Sequence, residues 1–306
     1  LNALSWDAER GRWPNARDSQ FVEAGGVRWH VQRMGQGPVA LLLHGTGAST
    51  HSWARLAPQL AEHFSLIIPD LPGHAFSSPL PRGRLSLPGM ANAVAALLDE
   101  LELAPSLVIG HSAGAAILAR CCIDRSLCPD LMVSINGALL PFAGPAGLLF
   151  PPMAKLLFAN PLAARILATR GRDEERVRRL INGTGSTIDA QGISLYARLF
   201  RSPSHVAATL GMMANWNLRG LRRDLSKLRQ SVLLVVGNDD RAVRPQEAEQ
   251  LEQLLADARV ERLPGLGHLA HEEDPQRVGA AILAFADRLL ADGGSERQGQ
   301  RAVADA

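Results

Sequence analysis

The sequence has almost no bias in charge. Its 32 Lys and Arg stand against 30 Asp and Glu, a formal net charge of +2, so no overall field invites nucleic acid. Arginines crowd locally between Arg165 and Arg179 and between Arg219 and Arg229, as solvated helix faces do. Cysteine is scarce: Cys121, Cys122 and Cys128 make three, an odd number without C-x-x-C spacing. That excludes a disulfide framework and a zinc site, and points to small core residues in a reducing compartment. No H-E-x-x-H or comparable ligand spacing occurs, so neither a metal nor another cofactor is expected. No basic-then-apolar signal peptide opens the sequence, which makes the cytoplasm the default location.

Long uninterrupted apolar runs are also lacking. The nearest approach, residues 137–162, has Lys155 as its only charge and the length of a membrane span. Pro141, Gly144-Pro145, Gly147, Pro151-Pro152 and Pro161 break it repeatedly, which disfavours one continuous helix. A mobile apolar lid able to touch a bilayer surface is the better reading.

Around that segment the chain alternates. Residues 21–24 and 27–33, joined by Gly25-Gly26, predict a hairpin, and Val39–Leu43 is a continuous apolar run of the kind covered on both faces. A helix over 52–61, a strand over 66–68, a helix over 92–101, a short strand from Val108 and a strand over 131–135 follow. After a helical stretch (174–181, 188–200, 204–216) come a strand at 232–236, a helix at 247–255, a strand at 259–263 and a helix at 276–290. This predicts an α/β fold, a mostly parallel sheet with helices on both faces and an inserted helical cap. The expected organisation is an N-terminal arm over 1–20, a core over 21–140 and 225–290, a cap over 141–224 and a disordered tail over 291–306.

One stretch organises the rest. Val108-Ile109-Gly110-His111-Ser112-Ala113-Gly114 reads as a buried strand running into a helix with Ser112 at the bend, the G-x-S-x-G nucleophile elbow. Glycines two residues either side let strand and helix approach closely while the serine backbone is strained and its hydroxyl held out. A serine hydroxyl needs a base, and the base needs an acid to orient it. Downstream, Asp240 follows a strand ending at Gly237, with Asp239 as competitor, and His268 lies between the next strand and the last helix. All three fall at carboxyl ends of predicted strands, where open α/β sheets do their chemistry. An oxyanion needs two preset donors, expected from the amides of Ala113, after the nucleophile, and Thr46, in His44-Gly45-Thr46-Gly47. His44 and His111 read as buried hydrogen-bonding residues, and His74 and His271 carry no assigned role.

His44-Gly45, Asp70-Leu71-Pro72-Gly73-His74, Gly110–Gly114, Gly237–Asp240 and Gly267-His268 together resemble the α/β-hydrolase superfamily. The resemblance implies a Ser-Asp-His triad in that chain order, and its Gly237, Asp240, Val243 spacing favours Asp240 as the acid. A narrower similarity is to the magnesium-chelatase accessory proteins of bacteriochlorophyll biosynthesis. It is carried by Trp13-Pro14-Asn15, Phe21–Val31, His44–Ala48, Leu149–Lys155 and Met212–Trp216. This implies a role near insertion of magnesium into protoporphyrin IX, with magnesium chelatase subunits as partners. An apolar cap of Phe142, Phe150, Met153, Phe158, Met212, Met213 and Trp216 offers a surface for an apolar substrate such as a tetrapyrrole, with cap arginines facing its carboxylates. For most of these side chains the plainer reading, that they are the cap's own core, is favoured.

Three functions follow: a cofactor-free serine hydrolase in pigment synthesis, a tetrapyrrole-binding protein that keeps the triad without using it, and a carboxylesterase or carbon–carbon bond hydrolase unrelated to pigment. The serine at the elbow disfavours an Asp-nucleophile epoxide hydrolase or dehalogenase.

Overall fold

The computed structural model describes residues 3–141, 156–158, 160 and 162–287. Eight strands form one sheet in the order β1-β2-β4-β3-β5-β6-β7-β8. They are β1 (Ser19–Ala24), β2 (Val27–Met34), β3 (Val39–Leu43), β4 (Ser65–Pro69), β5 (Leu107–His111), β6 (Leu131–Ile135), β7 (Ser231–Gly237) and β8 (Ala258–Leu263). The β1–β2 hairpin turns at Gly25 and Gly26 and joins β4 antiparallel; every other pairing is parallel.

The continuous apolar strands are buried on both faces, and their two-residue period divides the core. Leu41, Leu43, Val108, Met132 and Leu234 face the helices Leu87–Glu100 and Ala113–Ile123. Ala40, Leu42, Ile109, Val133 and Val235 face the other layer, with Trp53, Leu60, Val278 and Ile282. Burying one such aliphatic side chain contributes about 1.5–3 kcal/mol. β8 closes the edge and exposes Arg259, Glu261 and Arg262, charges that discourage further strand pairing.

Helix boundaries differ from the sequence expectation where side chains cap the backbone. The stretch expected as one helix over 52–61 is a 3-10 turn, Thr50–Trp53, and a short helix, Ala57–Ala61, because Ser49 caps the first and Pro58 restarts the second. The helix expected from residue 92 begins at Leu87, with the Ser86 hydroxyl accepting from the Gly89 amide. Between β6 and β7 the described elements are helices: Ala163–Arg170, Glu174–Gly183, Ala190–Phe200, Pro203–Ala214 and Arg219–Asp224. Asp173, Asp189 and Ser202 cap the second, third and fourth. The last helix is described over 275–287; the tail and most of the proline-broken segment lie outside the described residues. The arm packs through Trp13, whose indole N–H donates to the Thr50 hydroxyl at 3.1 Å. No helix among the described residues is long and apolar enough to cross a membrane.

Candidate active site

Ser112 stands between β5 and the helix Ala113–Ile123 at φ 51°, ψ −116°, a conformation that L-residues rarely adopt. Its neighbours permit nothing larger than glycine. A Cβ at Gly114 would collide with the Leu43 carbonyl oxygen, and one at Gly110 with the Ala115 backbone. Backbone hydrogen bonds hold the bend, the Ser112 amide donating to the Ile135 carbonyl (3.1 Å) and the Ala138 amide to the Ser112 carbonyl (3.0 Å).

Asp240 is buried in the turn after β7. One carboxylate oxygen accepts from the Ala242 and Val243 amides, at 2.7 and 2.9 Å; the other meets His268 Nδ1 at 2.8 Å. Asp239, its competitor from the sequence, is exposed. With Nδ1 committed to the acid, the remaining ring nitrogen, Nε2, is the one available to a substrate-side proton. The Ser112 hydroxyl makes no hydrogen bond among the described residues, so no serine–histidine bond is formed. The residue before Ser112 does reach the base: the His111 ring centroid is 4.8 Å from that of His268, and His111 Nε2 donates to the His268 carbonyl at 2.9 Å.

Asn136, which the sequence reading passed over, ties these parts together. It is buried directly after β6, and its side-chain amide donates to the carbonyls of Gly267 (2.8 Å) and His268 (2.9 Å). Its Oδ1 accepts from the Gly237 amide at 2.8 Å. One side chain thus binds the strand end that carries the acid to the loop that carries the base. The available signal was an Asn one residue past the paired end of β6, at φ 44°, a region Asn tolerates better than most residues.

The loop after β3 lies beside the nucleophile: a Cβ at Gly45 would stand 2.8 Å from His111 Nδ1 and 3.1 Å from Ser112 Cβ. Neither the Thr46 nor the Ala113 amide donates a hydrogen bond among the described residues, which leaves both as free donors at the elbow. Two neutral histidines hold this loop. His44 Nε2 accepts from the Leu71 amide, so Nδ1 carries the proton donated to the Gly45 carbonyl at 2.8 Å; burial pushes its pKa down to about 3. His205, from the cap, accepts from the Ala75 amide and donates to the Gly47 carbonyl at 3.0 Å, and burial holds its pKa well below the usual value. Burial likewise lowers His111 well below that value, His74 to about 4 and His271 to about 3.

The apolar cap residues read from the sequence scatter. Met212 is wholly buried, its sulfur accepting from the Thr46 hydroxyl at 3.5 Å. Phe158 and Trp216 are half-buried against the main core, and Met213 is half-buried. Phe142, Phe150 and Met153 lie outside the described residues.

An elbow serine, a buried acid paired with a histidine and an eight-stranded sheet of this order define a class, and residues 38–275 match its family, described as alpha/beta hydrolase fold. The chain belongs to the α/β-hydrolase family. It is 39% identical over 273 residues to the "Magnesium-chelatase 30 kDa subunit" of Rhodobacter capsulatus, covering 89% of this chain and 95% of that protein. It is 24% identical over 270 residues to the pimeloyl-[acyl-carrier protein] methyl ester esterase of Nitrosospira multiformis, covering 86% of this chain and 99% of that one. Among solved structures, an alpha/beta hydrolase fold protein from Burkholderia ambifaria superposes with a TM-score of 0.75 at 24% identity, over 87% of this chain and 97% of that one.

Proposed function

We propose that the chain is a serine hydrolase acting on an ester or similar acyl compound with an apolar body. The observation that carries this reading is the 2.8 Å bond between His268 Nδ1 and Asp240 beside a serine held in a strained elbow. His268 Nε2 takes the hydroxyl proton as Ser112 Oγ attacks the carbonyl carbon, and Asp240 stabilises the imidazolium. The tetrahedral oxyanion accepts from the Thr46 and Ala113 amides, and its collapse expels the alcohol, protonated by His268. Water then repeats the sequence on the acyl-enzyme, releasing the acid and restoring the serine. The closing of the Ser112–His268 link on substrate binding is ordinary for such sites.

The setting we propose is bacteriochlorophyll synthesis, as an accessory to magnesium insertion into protoporphyrin IX alongside magnesium chelatase subunits. The similarity to the Rhodobacter capsulatus chelatase subunit supports it. Turnover of nitrophenyl esters tests the chemistry: Ser112→Ala should lose roughly a millionfold in kcat and Asp240→Asn about ten-thousandfold. Turnover unchanged in Ser112→Ala would refute it.

A second reading is favoured by that relative's name, which is a chelatase subunit's and not a hydrolase's. On it, the protein binds a tetrapyrrole and assists the chelatase, with the triad retained but unused. Pigment accumulation in a deletion strain complemented with Ser112→Ala separates the two. Full restoration selects the binding role; failure, with the variant folded, selects hydrolysis.

A further inference from the structure

The cap contains a cavity of about 450 Å³, walled by the helices Ala163–Arg170, Glu174–Gly183, Ala190–Phe200 and Pro203–Ala214. That volume lies in the range of small-molecule sites, about 300–1,000 Å³. Its interior is apolar, with Leu167, Val177, Phe200, Val206 and Leu210. Among the described residues, its charged lining residues are Arg170 and Arg176, and none of its lining residues is acidic. Arg176 is paired with Asp173, whereas Arg170, exposed at the end of its helix, makes no ion pair among the described residues. At the rim, Leu180 leaves 58% of its surface in water, an apolar group at the mouth of an apolar hole.

The inner wall is also informative. Phe200 and Thr209 line the cavity and also lie against Gly47: a Cβ there would stand 3.5 Å from Thr209 Cγ2 and 3.8 Å from Phe200 Cε1. Gly47 follows Thr46, the oxyanion-loop residue, and its carbonyl is held by His205 of the same cap helix as Thr209. The cavity is therefore one side chain away from the loop beside Ser112. Of the apolar cap residues singled out from the sequence, the described ones, Phe158, Met212, Met213 and Trp216, are not among its lining residues.

We infer that this cavity binds an apolar chain or ring bearing a terminal carboxylate, the apolar body among the aliphatic side chains and the carboxylate at Arg170. An unpaired guanidinium on an apolar rim favours an amphiphilic anion over a neutral or cationic ligand of the same body, and its planar fork suits a carboxylate. That this ligand is the far end of the acyl substrate rests on the hydrolase reading above; the binding does not.

The test is calorimetric titration of Ser112→Ala, which cannot turn over, with dodecanoate, dodecanol and dodecylammonium. Dodecanoate should bind a few-fold more tightly than either comparator, and Arg170→Ala should remove that preference. Leu210→Trp, which narrows the cavity, should weaken binding of all three. Equal affinity for dodecanol, or binding unaffected by Leu210→Trp, overturns the proposal. In the wild-type protein, nitrophenyl esters with and without a terminal carboxylate supply the kinetic arm, the carboxylate form expected to show the lower KM. Carboxylate-selective binding without any ester turnover would leave the cavity assignment standing and remove the hydrolase reading.

Discussion

Asn136 is where a single substitution should do the most to separate the acid from the base. In Asn136→Ala the Gly237 amide and the Gly267 carbonyl, both buried, lose their side-chain partner. The His268 carbonyl keeps one donor, His111 Nε2. Each buried group left unsatisfied costs about 1–3 kcal/mol, so the two together cost roughly 2–6 kcal/mol. Holding φ 44° with alanine instead of asparagine adds to this. Against a total of about 5–15 kcal/mol for an ordinary domain, that is a large fraction. Asn136→Asp should be no milder: it retains the acceptor for Gly237 but turns a carboxylate toward two carbonyl oxygens in place of an N–H donor. Urea unfolding reads the stability, and the rate of active-site labelling by a fluorophosphonate reads the geometry. An Asn136→Ala protein within about 0.5 kcal/mol of wild type, labelled at an unchanged rate, would refute the clamp.

Ser112→Gly should abolish hydrolysis and yet raise stability by about 1 kcal/mol in urea, because glycine relieves the strain at φ 51° without altering the backbone bonds. The pH dependence has two limbs. Burial pushes the Glu272 carboxyl up from 4.5 to about 8 despite the hydrogen bond from the Tyr196 hydroxyl, so the folded state holds a proton that the unfolded state releases. Its contribution is complete below about pH 4.5 and is lost as pH rises through about 8; in Glu272→Gln that decline in melting temperature should flatten. The buried histidines act oppositely. His44, His51, His74 and His271 are depressed from 6.5 to about 3 or 4, chiefly by burial, so stability should fall steeply as pH drops below about 6.5. A melting temperature that is flat from neutral pH down to about 4 would contradict their burial as neutral rings.

The strands were readable because a strand covered on both faces has no polar period: Val39–Leu43 is a five-residue apolar run, and Leu131–Ile135 is apolar but for Ser134. Ser112 was readable because the close approach of strand and helix admits only glycine at residues 110 and 114. Helix starts were harder. Ser86 and Ser49 act through one hydroxyl bonded to a nearby amide, and nothing in hydrophobic periodicity reports such a bond. Asn136 was hidden for a different reason: its three partners lie about a hundred or more residues away, brought to it only when β6 and β7 pair. His205 was hidden likewise, since a cap histidine that braces the Gly47 carbonyl looks locally like any helix residue. The cap cavity is legible only once four helices are assembled, because its aliphatic lining shares the spacing of ordinary helix-packing residues.

The central claim is that Ser112 is a nucleophile activated by His268. Treatment with a fluorophosphonate, followed by mass-spectrometric mapping of the modified peptide, tests it most directly. The account predicts a single adduct on Ser112 in the wild-type protein and essentially none in a folded His268→Ala variant. An adduct at another residue, or Ser112 labelled as fast without His268 as with it, would contradict it.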